Sequence, residues 1–154
     1  MRSRKRKLHI YHRSSVRFLI MNITQQYEQI TNRIITGTKV SSMEYDTCEV
    51  LALWDTGAMK SVITKKIAEK LKLVPIDEMT MIGVTGEAKV NVYAVCVVLN
   101  DLEIDIQVLE CMDMANFDLL IGMDIISQGD FIIANNNEQT IFSFRIPSMG
   151  AQLV

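Results

Sequence analysis

VLALWDTGAMKSVI, residues 50–63, runs five mostly apolar residues into a carboxylate, Asp55, and follows it with Thr56-Gly57-Ala58. An ionised carboxylate at the end of a hydrophobic strand is costly unless polar groups hold it. The residues that follow can supply them. Gly57 permits a backbone conformation that other residues avoid. Thr56 brings a hydroxyl that can bond back to the chain or across an interface. Ala58 is small enough for close packing. The N–H groups of such a turn can point at the carboxylate, and a carboxylate held this way is a candidate general base. On its own, an Asp-Thr-Gly at a strand end is more often a plain turn, so the flanking sequence has to decide.

Two further segments do so. Residues 79–90, MTMIGVTGEAKV, place Gly83 and Gly86 on either side of a two-residue tip, Val84-Thr85. That pattern predicts a hairpin able to move over a cleft as a flap. Residues 117–124, FDLLIGMD, run a short apolar strand into Gly122, where a second segment can approach closely.

Elsewhere β-branched runs dominate. Strands are predicted over 30–40, 47–55, 89–99, 103–110, 131–134 and 139–144. In 103–110 the alternation is strict, with Ile104, Ile106 and Val108 on one side. Asn100-Asp101 and Asn135-Asn136-Asn137 read as hairpin turns. TKKIAEKLKL (64–73) is predicted to be a helix with Thr64 as N-cap and Ile67, Ala68 and Leu71 on its buried face. A second short helix is expected after Gly122, capped by Asp124 and ended by Gly129. The whole is mainly β, a small barrel or sandwich with one or two short helices.

Composition narrows the chemistry. The chain has 154 residues, a length suited to one domain. Seven of its 16 basic residues and no acid lie in residues 1–20, leaving nine basic and 18 acidic side chains, a net charge of −9, in residues 21–154. The basic arm, residues 2–17, fits a nucleic-acid or membrane-surface segment, a poor signal peptide, a solvated tail or an upstream start that overshoots Met21. The acidic body argues against nucleic acid as the main partner. No apolar run reaches the roughly 18 residues needed to span a membrane. Both histidines, His9 and His12, sit in the arm. The body therefore offers no Ser-His or Cys-His pair and no His-based zinc site, and neither a metal nor a cofactor is expected. Cys48, Cys96 and Cys111 show no C-x-x-C spacing; Cys96 reads as a small core residue, and the odd count points to a reducing, cytoplasmic setting.

Asp-Thr-Gly-Ala-x-x-Ser on an apolar strand, a glycine-flanked hairpin, then Leu-Leu-Ile-Gly-x-Asp before a short helix is an order that resembles the retropepsin-like aspartic proteases. The likeness covers roughly residues 28–146 and suggests a single-domain, bacterial-type member occupying residues 21–154. It implies a closed, barrel-like acid-protease fold with Asp55 as the catalytic carboxylate. Thr56, Gly57 and Ala58 would complete its turn, and the Thr56 hydroxyl would brace the two active-site turns of a dimer. Gly83, Val84, Thr85 and Gly86 would form the flap. Ser61 and Gly122 would support the site, while Val62, Ile82, Val84 and Ile121 would line apolar pockets for an extended peptide. Only one such triplet is present, so the second carboxylate is expected from a homodimer. Asp118 reads as the residue that opens the apolar strand, not as a second acid.

Two features leave room. Trp54 is bulkier than the aliphatic residue usual before the aspartate, and fits either the core or a dimer interface. TIFSFRIPS (140–148) is a candidate strand for the dimer sheet. The competing function is a catalytically weak or inactive module of the same fold, used for dimerisation or peptide binding.

Overall fold

The computed structural model describes residues 21–83 and 86–150. Among these residues ten strands and two short helices follow one another: β1 (Met21–Tyr27), β2 (Ile34–Ser41), β3 (Thr47–Trp54), β4 (Val62–Thr64), α1 (Lys65–Lys70), β5 (Asp77–Gly83), β6 (Gly86–Leu99), β7 (Leu102–Cys111), β8 (Leu119–Ile121), α2 (Met123–Ile126), β9 (Asp130–Asn136) and β10 (Gln139–Ile146). The basic arm lies outside the described residues.

Seven strands form one sheet in the order β2-β3-β8-β4-β7-β6-β5, and β2 also pairs with β6. That pairing closes six strands into a barrel and leaves β5 as an outlying arm. The expected mainly-β, closed-barrel fold is the one observed. Inside are Val40, Ile63, Val95, Val97, Leu119 and Ile121, all fully buried. Alternation produces this: β3 reads exposed-buried throughout, with Cys48, Val50, Ala52 and Trp54 inward.

A second sheet, β1-β10-β9, packs on the barrel. Its inner face carries Phe142, Phe144 and Phe131, whose ring centroids lie 5.0, 4.9 and 5.9 Å from that of Trp54. Trp54 is therefore a core residue. Its indole Nε1–H donates to Thr36 Oγ1 at 2.9 Å, so the polar end of the ring is also satisfied.

Several boundaries differ from expectation for identifiable reasons. β2 begins at Ile34 rather than residue 30 because Thr31 binds its own neighbourhood: its hydroxyl donates to Arg33 O and accepts from Arg33 N. α1 ends at Lys70, and Lys72 turns left-handed at φ 51°. Thr64 does not cap α1 through its side chain, because its hydroxyl donates to Asp118 Oδ1 at 3.1 Å instead. The β9–β10 turn falls one residue later than the asparagine run suggests, on Asn137 and Glu138, both at positive φ. Cys96 is only half-buried on β6; Cys48 is the thiol in the core.

Candidate active site

The barrel fixes Asp55 by its backbone first. β3 and β8 run parallel, Trp54 opposite Ile121. The Asp55 N–H then donates to Ile121 O at 2.9 Å, carrying the ladder one residue past the strand. The chain turns at once. Ala58 N–H donates to Asp55 O at 3.3 Å, and Gly57 N–H donates to the carboxylate Oδ1 at 2.8 Å. Asp55 is half-buried, with Thr56 and Gly57 exposed beside it. Gly57 is not left-handed, contrary to expectation. Its constraint is room: a Cβ there would sit 3.2 Å from Asp55 Oδ1.

A second layer supports this turn. Ser61 is fully buried. Its hydroxyl accepts from Gly122 N–H at 3.0 Å and donates to Asp124 Oδ1 at 2.7 Å, while its own N–H donates to Asp124 Oδ2 at 2.9 Å. Met123 N–H donates to Ala58 O at 2.7 Å. One serine and one aspartate thus tie the Asp55 turn to the start of α2. Asp124 does not cap α2 as expected; Gly122 occupies that position, and the Asp124 carboxylate is spent on Ser61. Gly122 itself is enclosed: a Cβ would meet Lys60 C and O at 2.8 Å and Ala58 O at 2.9 Å. Asp118 opens β8, accepts from the Thr64 hydroxyl and pairs with Lys66 Nζ at 3.5 Å.

Beside Asp55 runs a groove of about 570 Å³, lined by Leu53, Asp55, Thr56, Phe117, Leu120 and Ile133 among others. A larger concavity of about 930 Å³ lies over Gly37, Lys39, Glu49 and Asp101 and does not include Asp55. The smaller groove, with a carboxylate held in a built turn at its rim, is the better candidate for chemistry.

The residues named from sequence scatter more than expected. Val62 is half-buried on β4 opposite Leu109 and Leu120. Ile121 is fully buried and underlies the Asp55 turn, so it does not line an open pocket. Gly83 pairs with Gly86 at the end of the β5–β6 hairpin, and Ile82 is 79% exposed there. Gly86 holds φ +126°, a conformation few other residues adopt. Val84 and Thr85 lie outside the described residues. Leu53 and Leu120 were missed; their signal was available, since both alternate with core residues on adjacent strands. Ile133 carried no such signal, because a distant strand brings it to the groove. Among the described residues no group of three His, Cys, Asp or Glu side chains is placed to hold a metal ion.

Comparison with known proteins adds the family. A sequence profile described as aspartyl protease matches residues 39–125, more than half of the chain, including Asp55, Ser61, Gly122 and Asp124. The chain belongs to the aspartyl protease family. Its structure is similar to that of a retropepsin-like aspartic protease from Rickettsia conorii, with a TM-score of 0.53 and 18% identity over 82% of this chain and 94% of that one. At that identity the likeness shows the fold, which is retropepsin-like. EIAV protease in complex with the inhibitor HBY-793 (TM-score 0.49, 22% identity, 66% and 90% covered) and the retroviral protease-like domain of Ddi1 from Leishmania major (0.46, 20%, 69% and 91%) are also similar. No curated protein matches the sequence.

Two other charged clusters in this aspartyl protease family member lie in structural positions. Tyr93 donates to Glu110 between β6 and β7, and burial followed by that carboxylate pushes its phenol up to about 12. Asp130 accepts from Ser148 Oγ, from Met149 N–H at 2.8 Å and from Arg145. Those bonds, the Ser148 hydroxyl first, hold its carboxyl down at about 2.

Proposed function

We propose that this chain is an aspartic endopeptidase acting as a homodimer, with one Asp55 from each copy. The observation that carries the reading is the built half-site. Asp55 is held by Gly57 N–H and Ile121 O, braced through Ser61 and Gly122, and stands half-open at the rim of an apolar groove. A half-site of this kind has one carboxylate where acid–base hydrolysis by paired carboxylates needs two. A two-fold axis supplies the other.

Two such carboxylates in contact share one proton, because two like charges at that distance resist ionising together. The ionised Asp55 takes a proton from a water as that water attacks the scissile carbonyl carbon. The protonated Asp55 gives its proton to the carbonyl oxygen. The tetrahedral intermediate collapses as the C–N bond breaks and a proton passes to the leaving amine. The Thr56 hydroxyls brace the paired turns. The β5–β6 hairpin, whose strands end at Gly83 and Gly86, closes over an extended peptide and excludes water. Leu53, Val62 and Leu120 favour apolar side chains at the cut. The three free thiols support a cytoplasmic setting, and no helix among the described residues is long and apolar enough to cross a membrane.

The test is digestion of a mixed peptide library by the full chain from about pH 4 to pH 8, read by mass spectrometry beside Asp55→Asn. We expect cuts that vanish in the variant and a bell-shaped pH dependence belonging to the carboxylate pair. A folded dimer that makes no cuts at any pH would leave a peptide-binding or dimerisation module.

A further inference from the structure

The groove beside Asp55 is largely apolar, lined by Leu53, Leu120, Phe131 and Ile133 among others, and only two ionic side chains border it, Arg33 and Asp55. The two do not neutralise one another. Among the described residues Arg33 has no carboxylate within ion-pair distance. Acids outnumber bases in residues 21–154 by 18 to nine, and Lys39, Lys65, Lys66, Lys89 and Arg145 each have a carboxylate partner. Arg33, Lys60, Lys70 and Lys72 do not, and of these only Arg33 lines the groove.

The backbone around Arg33 is pinned. Its N–H donates to Thr31 Oγ1 at 3.2 Å, and its carbonyl accepts from the same hydroxyl at 3.0 Å. Thr31 N–H donates in turn to Thr140 Oγ1 of β10 at 3.0 Å. On the other side the Tyr27 hydroxyl of β1 donates to Ile35 O at 2.6 Å and accepts from Ile35 N–H at 2.9 Å. The chain before and after Arg33 is thus tied to the three-stranded sheet, while its side chain stays exposed at the groove.

We propose that Arg33 is a specificity residue that takes an acidic side chain of the substrate, so that the preferred peptides carry Asp or Glu within a few residues of an apolar cut. This rests on the reading of Asp55 as the catalytic carboxylate, and names the substrate class of that site. The guanidinium fork matches a carboxylate through two parallel N–H···O bonds. Once a peptide covers the groove and water leaves, a guanidinium without an anion is costly, so a neutral side chain is penalised as well as an acidic one favoured. The net charge of −9 on residues 21–154 disfavours acidic peptides at long range. A preference for them therefore has to come from this local cation. A second copy brings a second Arg33, so the acid is selected on either side of the cut.

The test uses the full chain and the residues flanking each Asp55-dependent cut in a mixed peptide library. Asp or Glu should be enriched at a fixed distance from the cut. For a cut peptide and its twin with Gln in place of Glu, kcat/KM should favour the acid by roughly tenfold or more. Arg33→Gln should bring that ratio near one, Arg33→Lys should keep part of it, and Arg33→Glu should turn the preference to Lys or Arg at the same position. Lys70→Gln, which removes the same charge outside the groove lining, should keep the wild-type ratio. A folding defect lowers both rates and leaves their ratio alone. Asp55-dependent cuts with no acidic preference, or with one that survives Arg33→Gln, would overturn the role of Arg33 and leave the protease reading standing. So would an Arg33→Gln chain that loses self-association by sedimentation equilibrium while keeping the preference, which would make the arginine a subunit contact. If nothing is cut, the same library is passed over the immobilised chain. Acidic peptides retained by wild type and not by Arg33→Gln would keep the role of Arg33 and remove the protease reading; no such retention would remove both.

Discussion

At residue 122 a methyl group has nowhere to go. Backbone atoms of Lys60 and Ala58 lie within 2.8–2.9 Å of where it would be, and backbone cannot swing aside as a side chain can. Gly122→Ala should therefore cost about 1–3 kcal/mol, read from a denaturant titration, and should displace the Asp55 turn with it. Ser61 shows the complementary economy. Its one hydroxyl satisfies a buried N–H and a carboxylate together, so no buried side-chain polar atom among the described residues is left without a partner. The local motif was legible here. Asp-Thr-Gly-Ala and Ile-Gly-Met-Asp both marked tight packing, and both segments meet where the motif implied. The role of Asp124 was not legible, since a helix cap and a partner for Ser61 ask for the same residue type.

At the scale of elements, Trp54 is the clamp between two sheets. It ends β3, and its ring meets Phe142 and Phe144 of β10 and Phe131 of β9. Trp54→Phe would leave the Thr36 hydroxyl without its donor and a void among the rings. We expect a loss of roughly 2–3 kcal/mol, measured as a fall in the unfolding midpoint. A stability change below a few tenths would show that the two sheets do not depend on this contact. The strand pattern predicted β2, β3, β6 and β7 well, because alternation or an apolar run marks each of them. β1 was not recognised: Gln25 interrupts its inward side, and the strand is made by pairing with β10, far along the chain. β8, three residues long, was legible as an apolar run into Gly122, whereas β4, of the same length, has neither a period nor an apolar run to show it.

For the molecule as a whole, the buried phenol of Tyr93 and the half-buried thiol of Cys96 bear on stability at high pH. Tyr93 is pushed up to about 12 by burial and Glu110, and Cys96 to about 11 by burial and Asp105. A group whose proton is held more tightly in the folded state stabilises it fully below the unfolded pKa. That contribution is lost as pH rises through the folded one. Stability should therefore fall between about pH 9 and pH 12. Thermal melts across that range should show the loss, and Tyr93→Phe should remove its upper part. A flat profile would mean that neither proton is retained on folding.

The sequence by itself determined the fold class, the carboxylate and its turn, and the glycine beneath it, because each rests on residues near one another in the chain. Periodicity and side-chain size act locally, and a local pattern is readable. Only the tertiary structure decided that Trp54 belongs to the core, that Asp124 serves Ser61, that Ile133 lines the groove, and that β10 is the central strand of its sheet with β9 beside it. Those facts depend on which strands pair, and pairing is settled by burial summed over the whole barrel rather than by any one segment.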